Sequence, residues 1–465
     1  DERDAVQKEL ASGTTTPFNV EFRIDVHSEY IWMRMKGVPV RIGGKRLVAL
    51  ALWDITKRMN NELQLVQARD YEVAVGARIQ QALLLGNPDH SCEFYGIASM
   101  SIPSQRIDGD FFDFYPGSAG SIDLVIGDVM GKGIPAALTG AAAKNAVLRA
   151  RMDITEFNGS SDFEPRKIVS KAESILSRNL MSLNTFLTLV YGRLSVRESL
   201  FRYVDCGHTS IIHYERTNGQ CWRLKGADMP IGFALKQDYS QYAVPVGRGD
   251  ILFLFSDGIS EAANMEGEQL GEDRLMRLVK SSADLSAEAL LDKIKHITFA
   301  YSAGDIRDDV TGISIKIRKS LDEVEEDQSK FPQVMSSLRK IRLFFQDCID
   351  ASDIPNLSEE QKVSIGIAVG EAAANILKYN KQDESVQCKA VFRKCGHWIQ
   401  CAIYYAGEDY AWQRVESPEI KTYQTNGYGL SLINEIMDSV TVSLGSDGAA
   451  RLSMLYLLNR KDLVS

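Results

Sequence analysis

Leu124-Val125-Ile126-Gly127-Asp128-Val129-Met130-Gly131-Lys132-Gly133 is an apolar run that closes on an aspartate and a glycine-rich turn. It reads as a buried strand delivering a carboxylate at its mouth. The same device recurs twice, and a fourth acidic cluster precedes it. Ile251-Leu252-Phe253-Leu254-Phe255 runs into Ser256-Asp257-Gly258, Asp308-Asp309-Val310-Thr311 leads into the run from Ile313, and Gly109-Asp110-Phe111-Phe112-Asp113 stands upstream of all of them. Unpaired charge beside a buried strand is expensive, and a cation or a catalytic role offsets that cost. An isolated Asp-Gly is ordinarily a turn or a helix cap. Four acidic clusters in order, three of them at an apolar boundary, instead point to one site. Carboxylate, carbonyl and water oxygens suit Mg²⁺ or Mn²⁺.

Around this centre lies a chain of 465 residues, too long for a single core and expected to hold two to four domains. An apolar content of 45% with 25% charged residues is that of a folded protein. The net charge of -9 argues against nucleic acid or anionic membrane as the main partner, because neither counterion release nor a polybasic anchor has a source. No apolar run is long enough for a membrane span and no signal pattern opens the chain. Asp1 is not an initiating residue, so the chain is expected to continue upstream. Seven scattered cysteines without a C-x-x-C pair read as free thiols of a reducing cytoplasm, and the six histidines are too dispersed for a zinc site.

Residues 1–57 alternate apolar and polar positions (Val20, Phe22, Ile24; Val38, Val40; Leu47, Ala49), with Gly43-Gly44 as a hairpin turn. In the stalk or linker 58–87, apolar positions recur at helical spacing from Met59 to Leu85, up to Gly86-Asn87-Pro88, which predicts a helix about 40 Å long, either a connector packed on the next domain or a dimeric stalk that transmits a signal. Strands are expected near 93–101, 122–127, 186–194, 200–205, 211–214 and 251–256, with a helix from Pro135 to about Met152. The charged stretch 319–330 reads as a linker. Residues 331–465 open with two helical patterns, 334–348 and 359–379, and close with strands near 387–394, 398–405 and 449–458.

The central region, 88–318, resembles the metal-dependent PPM serine/threonine phosphatases of the SpoIIE/RsbU kind. Phe186-Leu187-Thr188-Leu189, Gly207-His208-Thr209, Met229-Pro230-Ile231-Gly232 and Gly249-Asp250 fall between the acidic clusters in that family's order. The resemblance implies two Mn²⁺ or Mg²⁺ ions, with Asp128 bridging them and the Val129 carbonyl as a further ligand. Asp110, Asp257 and Asp308 would complete the site, and Asp309 or Asp113 would serve behind it or at a weaker third position. Two such ions activate a bridging water for attack on a phosphate. Arg106 and Lys132 are phosphate-binding candidates that read equally well as solvated surface cations. His208 reads as a structural hydrogen-bonding residue.

The segment from Ser28 to Thr56 resembles the second half of a PAS sensory domain. In the last domain, Glu371 and Asn375 stand four apart on one helix face, and Asn426-Gly427-Tyr428-Gly429-Leu430 precedes another helix. Together they resemble the GHKL ATPases, particularly anti-sigma-factor kinases. There the glutamate acts as base, the asparagine holds Mg²⁺ and the glycine loop, here Gly427 and Gly429, admits ATP phosphates; Gly407 is a further nucleotide-binding candidate. Tyr405-Ala406-Gly407 replaces the family's adenine-reading Asp-x-Gly, and Asp409 replaces a second glycine, which puts ATP binding in doubt.

The expected fold is therefore α+β and multidomain: a PPM phosphatase β-sandwich flanked by helices and a GHKL α/β sandwich, joined by a long helix to a partial PAS-like sheet. The expected function is a cytoplasmic, homodimeric phosphatase that dephosphorylates a STAS-type anti-anti-sigma protein and thereby controls a sigma-factor regulator. The alternatives are a partner-binding scaffold, or a two-way phosphatase and serine kinase acting on the same regulator. A sensor histidine kinase is disfavoured, because residues 59–85 contain no histidine.

Overall fold

The computed structural model describes residues 17–26, 29–65, 71, 84–86, 91–104, 109–117, 120–158, 164–234, 237–319, 324–352, 354, 357–380, 383–407, 428–445 and 448–458. The chain divides into two compact units, Asp1–Arg78 and Ile79–Ser465.

The first unit holds an antiparallel sheet of β1 (Phe18–Val26), β2 (Glu29–Ile42) and β3 (Lys45–Asp54). Gly43 and Gly44 join β2 to β3 at φ values of 57° and 79°, the positive pair that a two-residue hairpin of this twist demands. Asp54 Oδ1 accepts the Thr56 N–H at 2.8 Å and Thr56 Oγ1 accepts the Trp32 N–H at 2.9 Å, so the Asp-Ile-Thr step fastens sheet to helix. Helix is described over 56–65; most of the expected stalk lies outside the described residues.

In the second unit two five-stranded antiparallel sheets pack face to face. One runs β10 (Gln220–Leu224), β9 (Ile211–Glu215), β12 (Ile251–Phe255), β13 (Val310–Ile317), β4 (Tyr95–Ile102). The other runs β11 (Tyr242–Pro245), β8 (Leu200–Cys206), β7 (Leu187–Ser195), β6 (Ile122–Val129), β5 (Phe111–Pro116). Strand alternation sends one row of side chains inward from each sheet: Leu124 and Ile126, Phe112 and Phe114, Leu252 and Leu254, Ile313 and Ile315 meet in one buried cluster. Helices α1 (Ile134–Asn158) and α2 (Pro165–Ser182) cover one outer face. The short α3 (Asp257–Ser260) follows β12, and α4 (Gly271–Ser281) with α5 (Ala287–Tyr301) covers the other face. Helix α1 passes the expected end at Met152 by six residues. Its Arg151 holds the buried Asp123 at 2.8 Å.

The last domain is a sheet in the order β14 (Glu325–Gln333), β15 (Asp383–Lys394), β16 (Trp398–Ala406), β18 (Ala449–Leu457), β17 (Ser439–Leu444). Helices α6 (Leu338–Ala351), α7 (Glu359–Tyr379) and α8 (Tyr428–Ile436) pack on one face. Ser358 and Gln361 close a capping box at the start of α7. The stretch 319–330 is not all linker: β14 takes residues from Glu325 onward. Its charges mark an edge strand, where solvated side chains keep the free edge from pairing with another chain.

The sheet's other face rests on the sandwich. Leu200 and Ala243 share a buried cluster with Cys395, Trp398, Leu455 and Leu457. Trp398 Nε1 donates to the Glu198 carbonyl at 2.7 Å. Glu215, buried at the end of β9, takes Arg393 on one carboxylate oxygen, and Arg451 at 3.3 Å and Trp222 Nε1 at 3.1 Å on the other. The Arg451 guanidinium lies 4.7 Å from the centre of the Trp222 ring, so its flat face is covered as well.

Candidate active site

The inward rows of the sandwich explain where the acids go. Asp128 continues the Leu124, Ile126 row; Asp110 precedes Phe112 and Phe114; Asp309 precedes Thr311 and Ile313. Because neighbouring strands are antiparallel, the end of β6, the start of β5, the end of β12 and the start of β13 fall at the same end of the sandwich. Asp257 enters there at the first residue of α3, and Asp308 just before β13. The approach is close: a side chain at Gly258 would come within 2.1 Å of the Asp309 carbonyl, and one at Gly109 within 2.8 Å of the Val129 carbonyl. Both glycines are required by the space.

The electrostatics show one cluster. Burial, reinforced by Asp128 and Asp309, holds the Asp110 carboxyl well above its usual range, and its Oδ2 is buried with no hydrogen-bond partner among the described residues. Burial, then Asp257 and Asp308, raises the Asp128 carboxyl to about 7, against the opposing pull of Lys132. Burial, then Asp308 and Glu261, also raises Asp257. Mutual repulsion among desolvated carboxylates is the state that a divalent cation relieves, and the oxygen-only donor set fits a hard one. Among the described residues no group of three or more Asp, Glu, His or Cys side chains has closed into a metal cage.

The remaining candidates are arranged unevenly. Lys132 Nζ binds Asp308 Oδ1 at 2.8 Å and the Arg307 carbonyl at 2.9 Å, so it braces the cluster. Asp113 turns the other way to meet Lys144 at 3.2 Å, on a strand position that points out of the inter-sheet row. Asp309 Oδ1 accepts the Ser104 N–H at 2.9 Å. Arg106 and Gly427 lie outside the described residues. His208 is buried, with Nδ1 at 2.9 Å from Thr188 Oγ1; burial, opposed by the Phe255 carbonyl, brings its pKa down to about 4. Thr188, which the sequence offers only as part of a spacer motif, pairs with Asp128 at the mouth. Its position opposite Asp128 could be read only from the strand register.

In the last domain Glu371 and Asn375 on α7 both face Gly429 in the first turn of α8. A side chain there would meet Glu371 Oε2 at 3.0 Å and Asn375 Nδ2 at 3.8 Å. Arg342 on α6 lies 3.8 Å from Glu371. At Gly407 the Asn380 amide oxygen fills the space of any side chain, 2.0 Å from where a Cβ would stand.

With this geometry in hand, the comparisons with known proteins are specific. Residues 118–318 match the family model described as stage II sporulation protein E (SpoIIE), and residues 331–455 match the histidine kinase-like ATPase domain. The chain joins a SpoIIE-type phosphatase domain to a histidine kinase-like ATPase domain. The SpoIIE-type domain is homologous to the phosphoserine phosphatase RsbU of Bacillus subtilis, at 27% identity over 245 residues, 53% of this chain and 70% of that protein. Protein IcfG of Synechocystis is 22% identical over 52% of this chain, which spans 41% of its length. Among solved structures, the SiaA-PP2C domain of Pseudomonas aeruginosa is 21% identical, with a TM-score of 0.47 over 54% of this chain and 98% of its own. The RsbU and RsbW domains of a Mycobacterium tuberculosis protein are 16% identical, with a TM-score of 0.39 over 78% of this chain and 93% of theirs. No helix among the described residues is long and apolar enough to cross a membrane.

Proposed function

We propose that the chain is a metal-dependent protein serine/threonine phosphatase whose substrate is a phosphorylated STAS-domain protein in a cytoplasmic partner-switching circuit that controls a sigma-factor regulator. The observation that carries the reading is the convergence of Asp110, Asp128, Asp257, Asp308 and Asp309, from four separate segments, at one mouth of the sandwich. Asp128, Asp110, Asp257 and Asp308, with the Val129 carbonyl, would hold two Mn²⁺ or Mg²⁺ ions. Ions bound there would supply Lewis acidity and lower the pKa of a coordinated water. Lys132 braces Asp308 from the solvent side, and the buried strands beneath exclude water from the carboxylates' inner face. The PAS-like sheet and the stalk, read as a dimer contact, would carry the regulating signal.

The test is turnover of a phosphoserine STAS-domain protein by the full chain with Mn²⁺, with and without chelator, beside Asp257→Asn. Turnover is expected only with metal and only in the wild type. Tight metal-independent binding of the STAS protein without turnover would favour the scaffold instead.

The meeting of Glu371, Asn375 and Gly429 favours a second role for the ATPase domain, that of a Mg²⁺-ATP site with Asn375 on the metal and Glu371 placed as base. Asn375→Ala is expected to weaken Mg²⁺-ATP binding by about tenfold or more, roughly 1.4 kcal/mol. Calorimetry that finds equal affinity in both forms would leave this domain a partner-binding module.

A further inference from the structure

The chain leaves one sheet and enters the other between β8 and β9, and Gly207-His208-Thr209-Ser210 makes that crossing at the mouth that holds the acids. Thr188 stands directly opposite Asp128 in the β6–β7 register, on the same inward face, where paired side chains touch. Its hydroxyl meets His208 Nδ1 at 2.9 Å. The next residue, Thr209, donates its hydroxyl to the carbonyl of Phe255, the last residue of β12, two before Asp257. The turn is itself anchored: Asp205 accepts the His208 N–H at 2.9 Å and the Gly226 N–H at 2.7 Å. The crossover turn is thus bonded to the partner of the strand carrying Asp128 and to the end of the strand that leads into Asp257.

We propose that Thr188 and His208 are a positioning pair, fixing Asp128 relative to Asp257 across the two sheets so that both can serve one divalent-cation site. The inference rests on the phosphatase reading above. Neither residue need touch substrate. Their bond limits how far the β6 mouth can drift from the crossover turn. Groups behind metal ligands commonly govern metal affinity in this way.

The test uses the full chain, Mn²⁺ calorimetry, steady-state kinetics on a phosphoserine protein, and thermal melting. Thr188→Val keeps the shape and deletes the hydroxyl. It is expected to weaken Mn²⁺ binding about 10–100-fold and lower kcat comparably, with KM unchanged. Thr188→Ser is expected to restore both, and His208→Gln to match the valine variant. Wild-type Mn²⁺ affinity in a folded Thr188→Val, or a serine variant as impaired as the valine one, would overturn the pair. A wild-type chain that binds no Mn²⁺ would instead overturn the phosphatase reading.

Discussion

Asp128→Ala is expected to stay folded, to melt several degrees higher than wild type in chelator, and to lose Mn²⁺-dependent turnover by about a thousandfold or more. Both effects come from the same carboxylate. Burial, then Asp257 and Asp308, raises its pKa to about 7, so the ionised group destabilises the metal-free fold. The sign is that of a raised carboxyl: the unfolded chain ionises near the ordinary value, and stability falls as pH climbs from there through about 7. Alanine removes that penalty together with the ligand. Calorimetric melting in chelator at pH 8 and turnover in Mn²⁺ check the two halves separately. A variant that melts lower but turns over normally would place the metal elsewhere.

Glu215→Ala is expected to cost about 3–5 kcal/mol, because it takes away the carboxylate that buried Arg451 pairs with and leaves buried Arg393 with Glu326 alone, at 2.6 Å. Burial alone would raise the Glu215 carboxyl, but the two guanidiniums bring it down to about 2. A depressed carboxyl stabilises fully above its unfolded value of 4.5, and the gain is lost as pH falls through about 2. The variant should therefore unfold earlier in urea at pH 7, and the gap should shrink towards pH 3. Glu215→Ala combined with Arg393→Ala is expected to cost less than the sum of the single changes. Additive losses would mean that the ion pair does not join the domains.

The acids at the mouth were legible because three of their four clusters adjoin an apolar run, a signal local in sequence. The strands beneath them were legible for the same reason. What escaped reading depends on partners far along the chain. Glu215, Arg393 and Arg451 look like any surface charges until the sheet of the last domain is laid on the sandwich. Lys132 sits in the expected motif, yet its partner Asp308 lies 176 positions away. Strand β14 was hidden by its charges, which suit an edge as well as a linker. Asp113 shows the converse: acidic and adjacent, it faces the wrong side of β5, and one step of strand alternation decides that.

The last domain grips the turn ends around Glu198 and Glu215, whereas the acids gather at the opposite end of the sandwich. A nine-residue strand such as β7 rises roughly 30 Å between them. The docked face of the last domain's sheet therefore stays a full strand's length from the acids. Severing the chain at the charged interval before β14 would not release two independent parts, since each half would be left with a bare apolar wall.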